Sequence, residues 1–281
     1  MHILLIHQAF ASLHEPGGTR HFELARMLVA RGHQVTVIAS PVSYITGARM
    51  ETGASTPTGI PQGFRILRAA VYQAHHRSFL HRMLAFFTFM LSSFWLGLGV
   101  HSVDLVWGTS PPIFQGVTAW LLSRLKRARF LFEVRDLWPE FAVAVGVLKN
   151  PILIRMSEWL ERFLYRQADI VIVNSPGFVE HVKVRGARQV ELIPNGADPS
   201  MFDASATGSD FRREHHLGDL FVALYAGAHG MSNDLGVLVD AARLLQGEEI
   251  QIVLVGDGKE KPALLERAAG LDNILFLPPA P

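Results

Sequence analysis

A cation and two carboxylates lie close together within residues 133–136 of this 281-residue chain. Residues 130–134 fit a short buried strand, and Arg135 and Asp136 follow where such a strand would run out into a loop. Pro139 suits the first turn of a new helix because proline lacks a donor N–H. In an open parallel sheet, ligands bind beyond the carboxyl ends of the strands. Arg135 and Asp136 are therefore candidates for binding or catalysis, and a structural ion pair that closes the loop is the alternative.

A second candidate is the glycine pair Gly17-Gly18, which lies between a predicted first strand and a predicted helix. Glycines at this place allow backbone amides to approach a phosphate closely. Thr19 is the predicted N-cap of the helix. A permissive turn without a ligand is the alternative, because two adjacent glycines alone are a weak signal.

Length and composition favour a globular protein of about two domains. The chain is 49% apolar, which is enough for two substantial cores. Its formal net charge of +1 gives no broad electrostatic argument for nucleic acid as a partner. The absence of cysteine removes disulfides and thiolate metal sites and fits a reducing compartment. The apolar run at the N-terminus is too short for a signal peptide, and no basic region precedes it.

Alternating strands and helices in both halves predict two doubly wound α/β domains. Strands are predicted at residues 3–6, 34–39, 64–70, 104–108, 130–134, 170–173 and 190–193, and then at 220–225, 250–255 and 274–277. We expect an N-terminal domain at residues 1–198, a linker at 199–218 and the first part of a second domain at 219–281. A complete domain of this kind has five or six strands, so we expect a truncated protein.

Residues 83–100 form a run of eighteen residues without a charge, and Arg77 and Arg82 lie just before it. This length reaches the lower limit for crossing a bilayer, but serine, threonine and glycine dilute the run. Two interpretations remain open. One is a buried core helix; the other is a helix lying in the membrane interface, with Phe86 and Trp95 among the apolar groups and the arginines at the headgroups.

Five short motifs together resemble the family-four glycosyltransferases. They are Gly17-Gly18, EVRDLWPE at residues 133–140, VNS at 173–175, IPNGAD at 193–198 and YAG at 225–227. The branch resembled is that of bacterial polysaccharide enzymes similar to the L-fucosamine transferases of O-antigen and capsule synthesis. The resemblance covers essentially the whole chain, and RDLWP together with IPNGAD is its most specific part.

This resemblance implies the two-domain GT-B fold and retaining transfer of a sugar from a nucleotide-diphosphate sugar. It implies no obligatory metal and no cofactor beyond that substrate. The N-terminal domain would hold a lipid-linked or polysaccharide acceptor, and the C-terminal domain would hold the donor. The implied location is the cytoplasm, peripheral at the inner face of the plasma membrane, and no nucleic acid partner is implied.

The resemblance also implies roles for individual residues of this chain, by their positions in the family's motifs. Gly17 and Gly18 fall on the family's glycine loop near the donor diphosphate. Arg135 falls where many members have a histidine beside the transferred sugar, and Asp136 follows as in the common His-Asp pair. An arginine at that position can hydrogen-bond a hydroxyl or phosphate but cannot act as a base.

Asn195, Gly196 and Asp198 match the family's motif at the end of the first domain, which implies a hinge or interdomain role. Together with Gly17 and Arg135, Gly227 is expected at the rim of a cleft between the two sheets, because each follows a predicted strand.

The donor side departs from the family in two ways. Many members have an arginine just after the glycine at Gly227 and a lysine before the next helix, where this chain has Ala228 or His229 and then Asn233. His229, amides at the helix start or the glycine loop would then balance the diphosphate. The family's pair of donor-binding glutamates lies beyond residue 281, so we expect this chain alone to be inactive.

Two other classes of protein stay as alternatives. A non-catalytic protein could bind a membrane or a glycan through its N-terminal domain only. An epimerase acting on sugar nucleotides could use the same type of sheet. The missing G-x-G-x-x-G after the first strand and the lack of a Tyr-x-x-x-Lys pair argue against the epimerase.

Overall fold

The computed structural model describes residues 1–12, 18–42, 61–72, 79–196, 199, 203 and 205–279, without the side chains at positions 79, 80 and 82. Gly17, Arg77, Asp198 and the side chain of Arg82 therefore lie outside the described residues. The chain forms two compact units, Met1–Ala197 and Asp198–Pro281.

The first unit is built on a seven-stranded parallel sheet with the order β3-β2-β1-β4-β5-β6-β7. Its strands are β1 (His2–Ile6), β2 (Gln34–Ala39), β3 (Phe64–Arg68), β4 (Leu105–Ser110), β5 (Arg129–Val134), β6 (Ile170–Val173) and β7 (Val190–Leu192). The strand order reverses between β1 and β4, which creates a crevice beyond their carboxyl ends. This crevice is the place where the fold itself predicts a ligand.

Helices cover both faces of this sheet. They are α1 (Arg20–Ala30), α2 (Phe79–Leu98), α3 (Phe114–Lys126), α4 (Glu140–Ala144), α5 (Pro151–Gln167) and α6 (Pro176–Val184). Because crossovers between parallel strands are right-handed, α1 covers one face and α2, α3, α5 and α6 cover the other. The cores agree, since Phe22 of α1 packs in one apolar cluster while Phe89 of α2 and Leu122 of α3 pack in the other.

Local sequence signals explain where several helices begin. The side chain of Asn150 accepts the amides of Ile152 and Leu153 at 2.9 and 3.3 Å, and Pro151 occupies the first turn of α5. Thr19 precedes α1 as predicted, but its side chain makes no capping hydrogen bond. The apolar run at residues 83–100 lies mostly in α2, and no helix in the described part of the chain is long and apolar enough to span a bilayer.

The second unit contains a parallel sheet with the order β10-β9-β8. Its elements are α7 (Ser209–Glu214), β8 (Phe221–Ala226), α8 (Gly236–Leu244), β9 (Ile250–Val255), α9 (Lys261–Arg267) and β10 (Ile274–Leu277). Val239 of α8 and Leu264 of α9 lie in the core of this unit. Helix α7 falls in the predicted linker; it is short and polar, and its arginines in the last turn favour it electrostatically.

Candidate functional site

Polar side chains collect at the carboxyl ends of the central strands of the first unit. His7 follows β1, Thr109 lies near the end of β4, and Glu133 lies near the end of β5. His21 reaches them from the first turn of α1, and all four side chains are buried. A buried polar group is costly unless it is hydrogen-bonded, so the partners of each group define what this cluster does.

Glu133 is the acceptor at the centre of the cluster. Its carboxylate accepts hydrogen bonds from Nε2 of His21 at 2.6 Å, Nε of Arg20 at 3.0 Å and Nε1 of Trp107 at 3.1 Å. Burial raises the pKa of Glu133, but its interactions with His21 and Arg20 outweigh burial and hold the pKa at about 2. Burial lowers the pKa of His21 and outweighs Glu133, which raises it, and Nε2 of the imidazole donates to the ionised carboxylate.

Arg20 connects this buried carboxylate to the segment that follows β7. Its Nη1 and Nη2 donate to the carbonyl oxygens of Pro194 and Ile193, each at 2.8 Å. Asn195 and Gly196 come next in the chain and are exposed. One guanidinium therefore fixes the predicted hinge segment against the start of α1, two residues after Gly18.

A second group of hydrogen bonds extends from His7. The ring Nδ1 of His7 lies 3.0 Å from the hydroxyl of Thr109, and that hydroxyl accepts Nε2 of Gln115 at 2.9 Å. Oε1 of Gln115 in turn accepts the amide of Gln8 at 2.8 Å. Burial and the neighbouring His21 lower the pKa of His7, and the two imidazole centroids are 4.2 Å apart. Side chains in this cluster are thus held in place by several partners.

Arg135 and Asp136 lie at the edge of the cluster, immediately after β5. Nε and Nη2 of Arg135 donate to the carbonyl oxygens of Ser110 and Pro111 at 3.2 and 3.1 Å. These bonds use two of the five guanidinium N–H groups and tie the loop after β4 to the end of β5. The ion pairs among the described residues do not include one between Arg135 and the exposed Asp136.

In the second unit, two loops at the carboxyl ends of β8 and β9 pack backbone against backbone. Gly256 has a φ of 147°, and a Cβ added to it would collide with the carbonyl oxygen of Gly227. A Cβ on Gly258 would collide with the carbonyl oxygen of His229, whose amide donates to Asp257 O at 2.9 Å. The glycines serve this close approach in a tight turn between β9 and α9.

His229 lies under that turn with no exposed surface. Neither of its ring nitrogens has a hydrogen-bond partner among the described residues. Burial lowers its pKa, and the charge of Lys261 adds to this effect. Nζ of Lys261 donates to the carbonyl oxygens of Gly256 and Leu277 at 2.7 and 3.0 Å, at the carboxyl ends of β9 and β10. A neutral imidazole and an ammonium group are therefore close to Gly227.

The remaining predicted positions are distributed as follows. Asn233 donates to the hydroxyl of Tyr225 at 2.8 Å, so it lies at the same edge as Gly227 and His229. Gly18 has open space where a Cβ would be.

Phe86 is half-buried and stacks on Phe114 with ring centroids 6.3 Å apart, whereas Trp95 on α2 is 70% exposed. In the described ranges, no three His, Asp or Glu side chains are arranged to hold a metal ion.

Sequence reasoning did not single out His7, Arg20, His21 or Lys261. The order of the strands could have indicated His7, since it directly follows the strand beside the switch point. Lys261 has a weaker signal, as the first residue of a helix that follows the Gly256–Gly258 turn. Arg20 and His21 are polar residues in an amphipathic helix, and they give no local sign that Glu133 lies against them.

The sequence of this chain is similar to that of a known protein. The chain is 26% identical over 279 residues to WcaI of Escherichia coli, which is named as a candidate glycosyl transferase of colanic acid biosynthesis. The match covers 91% of this chain, and the chain spans 66% of the length of that relative.

Two solved structures share the fold over nearly the whole chain. Sucrose-phosphate synthase from Thermosynechococcus elongatus matches with a TM-score of 0.71 at 20% identity, over 99% of this chain and 70% of that one. Anabaena HepE, solved in complex with UDP and glucose, matches with a TM-score of 0.68 at 18% identity, over 100% of this chain and 70% of that one. Residues 17–196 match the Glycosyl transferase 4-like domain, and this chain belongs to that family, the family-four glycosyltransferases of GT-B fold.

Proposed function

We propose that this chain acts in the transfer of a sugar from a nucleotide-diphosphate sugar to a lipid-linked or polysaccharide acceptor, in the synthesis of a cell-surface glycan. The observation that carries the proposal is His229, a buried imidazole without a partner beside Lys261 and the glycine turn. A buried polar group left unpaired is costly, and a bound ligand with acceptor atoms would supply the missing hydrogen bond.

The nucleotide-diphosphate sugar, the donor, is proposed to bind at the edge of the second unit that carries His229 and Lys261. Its diphosphate needs N–H donors and positive charge, which His229, Lys261 and the amides near Asn233 would supply. These groups replace the arginine and lysine that many family members have near Gly227. The crystal structures of HepE hold UDP or UDP-glucose, which supports a nucleotide-diphosphate sugar as the class of donor for this chain.

The first unit is proposed to hold the acceptor and the transferred sugar. Arg135, with N–H groups left after its bonds to the loop, would bind a sugar hydroxyl or a phosphate oxygen. Asp136 is exposed and free to accept a hydroxyl of the sugar. Gly17 and Gly18 would bring backbone amides to the diphosphate. Because Arg135 cannot act as a base, this arrangement fits retaining transfer in which the departing diphosphate accepts the proton of the acceptor.

The segment between the units is proposed to work as a hinge. Asn195 and Gly196 follow two carbonyl groups that Arg20 holds, and Asp198 begins the second unit. Arg20 would then fix the first end of the hinge while the second unit moves. The relative WcaI, named for colanic acid biosynthesis, supports a polysaccharide as the class of acceptor. The proposed place of action is the inner face of the plasma membrane.

The test is nucleotide-sugar binding by isothermal titration calorimetry, with UDP, UDP-glucose and the corresponding guanosine and thymidine diphosphate sugars. We expect one donor class to bind, and we expect His229→Phe to weaken binding about tenfold, which corresponds to about 1.4 kcal/mol. His101→Gln, at an exposed position of the first unit, is the matched histidine control. Binding that is unaffected by His229→Phe would contradict this donor site, and binding to none of the nucleotides would favour a non-catalytic glycan- or membrane-binding protein.

A further inference from the structure

Three neighbouring helices present apolar side chains to solvent on one face of the first unit. Helix α2 packs against α3, and α3 packs against α5. On α2, the residues concerned are Leu84, Phe87, Leu91 and Trp95, which are 44%, 41%, 58% and 70% exposed. At about 100° of rotation per residue they fall in an arc of about 80°, so they form a stripe along the outside of the helix.

Helices α3 and α5 continue this surface. Leu121 and Leu125 of α3 are 37% and 62% exposed, and Ile152, Met156 and Trp159 of α5 are 68%, 61% and 65% exposed. The outward surface of α2, α3 and α5 is called the three-helix face below. Contiguous exposed apolar surface of this kind marks a site of protein or membrane contact more often than chance exposure does.

The same three helices carry many more basic than acidic residues. They carry six basic residues, one on α2, two on α3 and three on α5, and two acidic residues, Glu158 and Glu161. Glu161 is buried and bonded to Tyr165 and His181, so Glu158 is the acidic side chain that remains near the surface. The whole chain has a net charge of +1, so this excess of positive charge is local to the three helices, although Lys126 is bonded to the carbonyl oxygens of Leu98 and Val100.

A basic cavity lies at the carboxyl end of α3. It is open, has a volume of about 340 Å³, and is lined by Ser123, Arg124, Arg127, Ala128, Arg129 and Asp169. The carboxylate of Asp169, which accepts the amide of Phe130 at 2.7 Å, offsets one of the three arginine charges, so the cavity keeps a net positive charge. Arginine guanidinium groups match the geometry of phosphate oxygens.

We infer that the three-helix face docks on an anionic lipid bilayer. Trp95 and Trp159 lie at the level of the headgroups, the aliphatic side chains enter the edge of the acyl region, and the basic cavity holds a lipid phosphate. Tryptophan is suited to this boundary, and each basic residue near an anionic surface adds to the attraction. A second copy of the chain is a poorer occupant, because it would bring the same positive charge to the contact.

This inference deepens the proposed function, since a lipid-linked acceptor would be met at the bilayer. It also extends the contact from the region expected from the sequence, residues 77–100, to the outward surfaces of three helices. Phe86, which stacks inward on Phe114, is not part of this surface. Binding to lipid is measured without any nucleotide sugar, so failure of the donor site in calorimetry and failure of membrane docking are separate results.

The experiment is co-sedimentation of the chain with phosphatidylcholine vesicles that contain or lack phosphatidylglycerol. We expect binding to the anionic vesicles, weakened by salt, with a blue shift of tryptophan fluorescence and quenching by brominated lipid. The double variant Trp95→Gln/Trp159→Gln should bind at least tenfold more weakly and lose the blue shift. Arg127→Ser/Arg129→Ser should lose the preference for phosphatidylglycerol.

Matched controls come from α1 and the residue that follows it, on the opposite face of the sheet. Met27→Gln changes an exposed apolar residue of α1 and Arg31→Ser an exposed basic residue at its end, and both should bind as the unchanged chain does. Leu125→Gln gives a second test of the face if the tryptophan variant folds poorly. Unchanged vesicle binding in the face variants would overturn the inference. So would a dimer in analytical ultracentrifugation that the tryptophan variant dissociates without a change in lipid binding.

Discussion

The clusters at the carboxyl edges of the two sheets are built in opposite ways. In the first unit, Glu133 has three donors, and His7 and His21 are held by neighbouring side chains. In the second unit, the backbone forms the edge through Gly256 and Gly258, and neither ring nitrogen of the buried His229 has a partner among the described residues. The groups around Glu133 are thus paired without a ligand, whereas His229 is not.

This difference assigns different roles to the two edges. Hydrogen bonds from several partners hold the side chains around Glu133 and His7 rigidly, so the first cluster positions Arg20, Arg135 and the loops around them. A backbone cradle with an unpaired imidazole gains a hydrogen bond when a ligand enters. The comparison therefore predicts that mutations in the first cluster mainly affect stability and that changes at His229 mainly affect binding.

The largest expected effect is on Glu133. Glu133→Ala leaves Nε of Arg20, Nε2 of His21 and Nε1 of Trp107 without their acceptor, and removing one partner of a buried charged pair costs about 3–5 kcal/mol. We expect the free energy of unfolding of the first unit, measured in urea, to fall by that amount. Glu133→Gln keeps one acceptor oxygen and should lose less. If Glu133→Ala were no more destabilising than His229→Phe, the contrast between the two clusters would be wrong.

Acid should destabilise the first unit through its buried histidines. Burial lowers the pKa of both His7 and His21 from the ordinary value of 6.5, so below that pH the unfolded chain binds protons that the folded chain does not. The unfolding free energy should therefore decrease as pH falls below 6.5, by up to about 1.4 kcal/mol per pH unit for each histidine. The slope between pH 6.5 and 5 should flatten in His7→Gln and stay the same in His101→Gln.

Gly256→Ala tests the backbone cradle of the second unit. The added Cβ meets the carbonyl oxygen of Gly227, and the residue keeps a positive φ that alanine disfavours. We expect a loss of about 1–3 kcal/mol, typical of backbone strain. Gly270→Ala is the matched control, since Gly270 also has a positive φ but has nothing within 4 Å of an added Cβ. Equal losses in the two variants would show that the packing of the two loops contributes little.

The smallest effect is expected at the hinge segment. Arg20→Lys keeps a positive charge but cannot span Glu133 and two carbonyl groups at once. We expect a loss of about 1 kcal/mol in global stability, close to that of one or two hydrogen bonds. Hydrogen exchange should become faster at residues 193–196, while the amides of β2 stay unchanged. Uniform exchange rates in the variant would remove Arg20 from the role proposed for it.

The sequence predicted the sheet better than it predicted the side chains at its edge. Buried parallel strands are continuous apolar runs, and β6, β9 and β10 match their predicted limits. The pairing of His21 with Glu133 joins residues 112 positions apart, and neither residue has a local pattern that reveals it. On α5, Trp159 is 65% exposed while Leu164 is buried, because apolar residues on this helix point both to the core and to the three-helix face.

The most direct test of the account is nuclear magnetic resonance of the chain with ¹⁵N-labelled histidine, titrated with the nucleotide-diphosphate sugar identified by calorimetry. The ring nitrogens of His229 should shift on binding, because the ligand supplies their missing hydrogen-bond partner. The ring nitrogens of His7 and His21 should stay where they are, since their partners are already in place. Shifts at His7 and His21 without any change at His229 would contradict the assignment of the donor to the second unit.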